Sequence, residues 1–241
     1  MKQLKRHLAW SPALHHEIST EDTYRLRQLN FAPRVVYDIG ANLGCFAAFS
    51  KILWPNCQVV CVEPNPHNFT RLEDVLAPHK GIQSIHAAMA TGPAHWIEAP
   101  GGNTNPGGHT YVSETVGYEA ESLAAFPLAE CPSLSLAEIA HAPIDPYIVK
   151  IDCEGGEQCL FDDDQSNLVL RGAAYWTAEL HFFAAKHRRI PEADKLAPGL
   201  MGTHGHVIRK CLDWIYEFSD THIVDFQLTQ PNAGMVWCTR K

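Results

Sequence analysis

The sequence predicts an α/β fold built on a parallel sheet with helices on its faces. Three observations carry that expectation. Apolar, β-branched runs alternate with helix-like segments between residues 34 and 90, the pattern of βαβ units. The first run opens directly into a glycine turn, Asp38-Ile39-Gly40-Ala41-Asn42-Leu43-Gly44, at the end of the sheet where such folds bind ligands. Two further strand-like runs flank Gln230-Pro231-Asn232 and read as a closing hairpin.

The elements follow in order. Residues 1–30 form an N-terminal extension, in which Thr20 to Leu29 suggests a short helix capped by Thr20, with Glu21 and Asp22 in its first turn. Arg34–Ile39 is the first buried strand, and Cys45–Leu53 a helix closed by Pro55. Gln58–Val62 is the second strand, His67–Leu76 a helix, and Ile82–His86 a third, weaker strand. Residues 91–132 break the alternation: strand-like pieces at Ala94–Glu98 and His109–Ser113 enclose a Gly/Asn/Pro-rich stretch, which reads as an inserted hairpin or loop. Tyr147–Ile151 and Ala173–Leu180 are further strands, with a short helix near Glu157–Phe161. Val207–Phe218 is an amphipathic helix, and His222–Gln227 with Met235–Thr239 completes the terminal hairpin. No repeat or low-complexity tract interrupts the chain, so residues 1–241 are expected to form one domain.

Composition narrows the functional classes. With 46% hydrophobic and 19% charged residues, neither a disordered chain nor a coiled coil fits. Acids outnumber bases by 27 to 19, and a formal charge of −8 argues against a nucleic-acid partner. No run approaches the ~18 apolar residues of a membrane span. The basic start, MKQLKRHLAW, meets Ser11, Pro12 and His15 before an apolar core of useful length develops. The eight cysteines include no C-x-x-C pair and read as reduced thiols of a cytoplasmic protein, with Cys57, Cys61 and Cys153 in or beside apolar runs where cysteine behaves as a small buried hydrophobe.

Three segments carry chemistry. In the glycine turn, a dinucleotide fingerprint would place glycines at 40, 42 and 45, where this chain has Gly40, Asn42 and Cys45. The D-x-G-x-x-x-G spacing instead suits a ligand with an amino-acid tail, and it disfavours a nicotinamide-dependent oxidoreductase; a plain tight βα loop is the bland alternative. Glu63 ends the second strand in Val62-Glu63-Pro64-Asn65, where an acid can accept hydrogen bonds from both hydroxyls of an adenosine ribose. Asn65 and Asn68 are polar candidates there, with helix capping as their alternative role. The third segment, Val149-Lys150-Ile151-Asp152-Cys153-Glu154-Gly155-Gly156-Glu157, delivers Asp152, Glu154 and Glu157 to the carboxyl end of a buried strand. Asp152 or Glu154 can serve there as a base, whereas Glu157 reads as a cap or a solvent-facing residue on the next helix.

Tyr37–Phe46 (YDIGANLGCF), Cys61–Asn68 (CVEPNPHN) and Val149–Glu157 (VKIDCEGGE) together resemble the signature segments of FkbM-type methyltransferases, in the family's order and spacing. The likeness extends from about residue 30 to 182, through LSLAEI at 134–139 and AELH at 178–181. It implies a Rossmann-like class I methyltransferase fold, a seven-stranded, mostly parallel sheet with an antiparallel last strand and helices on both faces. It also implies S-adenosylmethionine as cofactor, with S-adenosylhomocysteine as product. Carried over, Gly40, Asn42 and Gly44 surround the methionine part, and Asp38 anchors that loop or binds the amino group. Glu63 takes the ribose hydroxyls, Pro64 and Asn65 flank the adenine, Ala87 or Ala88 approaches it through the backbone, and Asp152 lies at the reacting end. Asp152, Glu154 and His181 are the candidate catalytic bases, for methylation of a hydroxyl on a small molecule, sugar, glycan or natural product. The alternative is a cofactor-binding module without catalysis. The 91–132 insertion and the chain beyond 182 are expected to shape the acceptor site.

No dedicated metal site is expected. A divalent ion held by Asp152, Glu179 and His181 is the less favoured route, and His204-Gly205-His206 is a weak ligand pair. The run Asp162-Asp163-Asp164 reads as a helix end or turn.

Overall fold

The computed structural model describes residues 12–76, 79–92, 94–97, 111–113, 128–153, 155–182, 205–230 and 233–241. Its centre is a seven-stranded sheet. In chain order its strands are β1 (Val35–Ile39), β2 (Gln58–Val62), β3 (Ile82–Ile85), β9 (Tyr147–Ile151), β10 (Tyr175–His181), β11 (His222–Gln230) and β12 (Ala233–Arg240). They lie in the order β11-β12-β10-β9-β1-β2-β3. β3, β2, β1, β9 and β10 pair in parallel, and β12 inserts antiparallel between β10 and β11. The antiparallel last strand is therefore present as expected.

Every residue of β1 and β9 is buried, as central strands covered on both faces require. Side-chain alternation divides them between two cores. Val35, Tyr37 and Ile39 join Trp176, Trp214 and Phe218 on one face. Val36 joins Phe46, Phe49, Leu72 and Leu76 on the other. A short helical turn, α1 (Pro12–His15), precedes the sheet; α2 (Cys45–Leu53) and α3 (Pro66–Leu76) cover the second core. Against the first core pack α4 (Leu136–Ile139), α5 (Asp164–Gly172) and α6 (Gly205–Tyr216). Asp163 caps α5 by accepting from the Ser166 N–H, so the aspartate run is a helix end. None of the helices among the described residues is long and apolar enough to cross a membrane.

The helix expected over Thr20–Leu29 is absent. Asp22 and Arg25 adopt positive φ, and only a 3₁₀ turn forms, at Leu26–Gln28. Asp22 Oδ1 accepts from the Leu26 N–H at 2.9 Å, a side-chain bond that competes with helical pairing. The resulting kinks turn Tyr24 and Leu26 into the second core, so tertiary burial wins over local propensity. A π turn, His16–Thr20, precedes them.

β5 (Ala94–Ile97) pairs antiparallel with β6 (Tyr111–Ser113) and β7 (Leu128–Cys131), consistent with the expected hairpin. β4 (Ala88–Met89) pairs with β8 (Ser133–Leu134). The glycine-rich stretch 101–108 lies outside the described residues.

Candidate active site

A cleft opens beyond the carboxyl ends of β1, β2 and β9, beside the point where strand order reverses. The backbone makes its rim. Gly40 has φ +75°, and a Cβ there would lie 1.8 Å from the Asp152 carbonyl oxygen. Glycine thus lets β1 turn in contact with β9. The N–H groups of Gly40 and Ala41 both donate to the Val62 carbonyl at 2.9 Å, tying the turn to β2. Asn42 and Gly44 also have positive φ, and Gly44 leads into α2.

Glu63 lies at the floor, 4% exposed. Its Oε2 accepts from the Asn42 N–H at 2.7 Å and its Oε1 from the Asn65 N–H at 2.9 Å, so one carboxylate joins the first two sequence motifs. Burial raises its pKa to about 7 against the lowering effect of those amides. Gly40, Asn42, Pro64, Asn68 and Ala87–Ala90 line the same cleft, Ala88 included. Asn65 does not. It is fully buried, and its Oδ1 accepts from the N–H groups of His67 and Asn68 at 2.9 and 3.2 Å. The expected adenine-flanking asparagine therefore caps α3, and Asn68 faces the cleft in its stead.

A buried cation organises the β9 side. Lys150 Nζ donates to the Gly40 carbonyl at 2.8 Å and stands 3.3 Å from Asp38 Oδ1 and 3.7 Å from Asp152 Oδ2. Burial disfavours its charge, but the two carboxylates outweigh that and hold its pKa above the ordinary value. Asp38 is fully buried and outside the cleft lining; burial raises its pKa while Lys150 opposes the rise. Its contact with Lys150 supplies charge without an aligned hydrogen bond. Asp38 thus braces the turn through Lys150, which donates to the Gly40 carbonyl.

Asp152 faces the cleft with its side chain 24% exposed. The Tyr24 hydroxyl donates to its Oδ2 at 3.0 Å. Tyr24 is itself fixed: its carbonyl accepts from the Tyr175 hydroxyl at 2.8 Å, and Trp237 Nε1 donates to the neighbouring Thr23 carbonyl at 2.9 Å. Glu17 and Ile18 of the π turn also line the cleft, and burial followed by the Asp152 charge raises the Glu17 pKa.

Of the two roles read for Glu157, the capping one is seen and the solvent-facing one is not: it is fully buried, and at the start of the following 3₁₀ turn its Oε1 accepts from the Cys153 N–H at 2.5 Å and its Oε2 from the Gly155 N–H at 3.0 Å. His181 Nδ1 stands 3.3 Å from Glu157 Oε1, and the Asp152, Glu157 and His181 ligand atoms all lie within 4.8 Å of one another. Glu179 is nearby in charge terms: burial, then Asp152, raises its pKa to about 7. Glu154 and His204 lie outside the described residues, as does the His206 side chain. Three lining residues are not evident as site residues in the sequence. Glu17 belongs to a stretch with no periodic signal and Tyr24 to one read as a plain helix, whereas Lys150 carries a signal, a cation inside an otherwise apolar strand.

A reversed-order open sheet, a glycine turn and a strand-end acid at the switch point define an α/β fold of the class I methyltransferase type. Residues 38–218 match the methyltransferase FkbM domain, and the chain belongs to that family, whose methyl donor is S-adenosylmethionine. The family found is the one that the three sequence segments resemble.

Two solved structures share the fold. An O-methyltransferase from Bacillus cereus in complex with SAH is 12% identical, with a TM-score of 0.52, covering 100% of this chain and 91% of that one. A putative rRNA-methylase from Clostridium thermocellum is 8% identical, with a TM-score of 0.51, covering 92% of this chain and 95% of that one. No curated protein matches the chain.

Proposed function

We propose that the chain methylates a hydroxyl oxygen of a small molecule, sugar, glycan or natural product. The observation that carries this reading is the Asp152 carboxylate, turned to the cleft with Oδ2 held by Tyr24. The cleft's residues fit the cofactor. Glu63 offers carboxylate oxygens to ribose hydroxyls at the floor, and Val62 with Ala87–Ala90 forms an apolar wall for a flat base. Pro64 and Asn68 border that wall, while Gly40, Asn42 and Gly44 shape the turn beside the amino-acid tail. Glu17 and Asp152 give the remaining wall the negative charge that suits a sulfonium.

When bound, S-adenosylmethionine supplies an already activated methyl. The protein's contribution is then positioning and proton removal. Asp152 is the residue that would take the proton of an acceptor hydroxyl, a role worth about 10²–10⁴-fold. Glu154, on the same loop, is the second candidate for that proton. His181, 3.3 Å from Glu157, is the third candidate. The formal charge of −8 supports a small or glycan acceptor over nucleic acid. The strands of the insertion, which bring Ala94 into the cleft lining, support its role in shaping the acceptor side. Residues 1–241 are read as one domain, and the eight buried free thiols support a reducing, cytoplasmic setting.

The test is transfer from isotope-labelled S-adenosylmethionine to a panel of sugars, polyketide alcohols and peptides, with amines as controls. O-methyl products that fall at least ~10²-fold in Asp152→Asn support the reading. N-methyl products, or wild-type turnover equalled by Asp152→Asn, overturn it.

A further inference from the structure

We infer that Asp152, Glu157 and His181 form a binding site for a divalent first-row metal ion at the edge of the cleft. The ligand atoms come from the ends of two adjacent parallel strands and the 3₁₀ turn that follows β9 (Gly156–Asp162), and they lie within 4.8 Å of one another. Ions of this kind bind oxygen and nitrogen at about 2.0–2.2 Å, so neighbouring ligands stand about 3 Å apart and opposed ones about 4.2 Å apart. The 3.3 Å separation of His181 Nδ1 and Glu157 Oε1 already has the first spacing. A small inward swing of the part-exposed Asp152 side chain completes the second.

Two features set this cluster apart from a chance grouping of surface acids. Glu157 is fully buried and His181 is 7% exposed. A buried carboxylate needs a compensating charge. Among the described residues Glu157 has an ion pair with the His181 imidazole alone, since Lys150 pairs with Asp38 and Asp152. Moreover, each carboxylate is aimed by a dedicated donor: Tyr24 on Asp152, and the Cys153 and Gly155 amides on Glu157. Hydrogen bonds that fix ligand orientation are the support a metal site needs. Two carboxylates with one imidazole suit Mn²⁺ among the hard-to-borderline ions. Asp152 opens the site to the cleft, so an acceptor hydroxyl can take a vacant coordination position and lose its proton to Asp152 or water more readily.

Cation binding is measurable without cofactor or acceptor, so it stands or falls separately from the methyl-transfer reading. Metal-stripped full-length protein is titrated with MnCl₂ by calorimetry, alongside the Mn²⁺-induced shift in unfolding temperature. The expected result is one saturable site with Kd below about 1 mM and a raised unfolding temperature. Affinity should fall at least about tenfold in both Asp152→Asn and His181→Gln. Absence of saturable binding to the wild-type protein overturns the inference without reliance on any variant. Equal binding by wild type and Asp152→Asn overturns it too, because the ion then sits elsewhere. An Asp152→Asn protein whose metal-free unfolding temperature matches wild type excludes misfolding as the cause of lost affinity.

Discussion

The Tyr24 hydroxyl donates to Asp152 Oδ2 at 3.0 Å across 128 residues of sequence. The bond runs from an irregular N-terminal segment to the end of a central strand, and it fixes the carboxylate that faces the cleft. Tyr24 lies 5.2 Å from Phe46 in an edge-on ring contact, so its ring is held independently of the hydroxyl. Tyr24→Phe should therefore keep the fold, with a stability loss of about 0.5–1.5 kcal/mol. Methyl transfer should fall much further, by up to about 10²-fold in kcat, because a carboxylate free to rotate is misaligned. Thermal unfolding and steady-state kinetics on one preparation separate the two effects. A kcat equal to wild type would remove Tyr24 from the positioning role.

Gly40→Ala places a methyl group against the Asp152 carbonyl, at a residue whose φ is +75°. Overpacking and left-handed strain act together, with an expected loss of about 2–4 kcal/mol. Because β1 and β9 part at the binding turn, cofactor affinity should fall as well. Denaturant unfolding and a binding titration check both consequences. At Gly92 an added Cβ would meet nothing within 4 Å, and φ is not positive, so Gly92→Ala provides the tolerant control.

Glu63 gives the pH dependence. Its folded pKa of about 7 lies above the ordinary value of 4.5, so the folded state holds a proton that the unfolded state has already released. Its contribution to stability is fully present below pH 4.5 and is lost as pH rises through about 7. Ligand binding should run the opposite way, since ribose hydroxyls donate to the ionised carboxylate. Affinity for S-adenosylhomocysteine should rise by up to about tenfold per unit as pH climbs towards 7, then level off. In Glu63→Gln that slope should disappear. A wild-type profile already flat between pH 5 and about 7 would contradict the assignment.

Glu157→Gln turns an acceptor-only group into one that must direct an NH₂ at a backbone N–H. With both carboxylate oxygens already receiving amides from Cys153 and Gly155, the expected cost is about 1–3 kcal/mol. Asp164→Asn, at an exposed first-turn position, serves as a comparison and should cost less than about 0.5 kcal/mol. Chemical unfolding of the two variants tests this directly.

The parallel strands are legible in the sequence because each is a short apolar run cut off by glycine, proline or a charged residue. β1, β2 and β9 match or nearly match their expected limits, and the terminal hairpin supplies the antiparallel strand. Glu63 and Gly40 are legible for the same reason, since strand ends locate the ligand edge. The N-terminal segment is not. Its helical composition is overruled by two positive-φ residues and by burial of Tyr24 and Leu26, which only the tertiary fold supplies. Asn65 shows a different limit: a strand-end asparagine before a helix suits a ligand or a cap equally well in sequence, and hydrogen bonding selects the cap. For Glu157 the sequence leaves cap and surface residue open, because a carboxylate between glycines and a polar glutamine suits either. Backbone amides two and four positions earlier are what draw it inside.

The most direct measurement is a calorimetric titration of the full chain with S-adenosylhomocysteine, repeated with Glu63→Gln and with NAD as competitor. One saturable site, weakened at least about tenfold by Glu63→Gln and undisturbed by NAD, is the expected result. No binding, or equal binding by wild type and Glu63→Gln, would contradict a cofactor site at the ends of β1, β2 and β9.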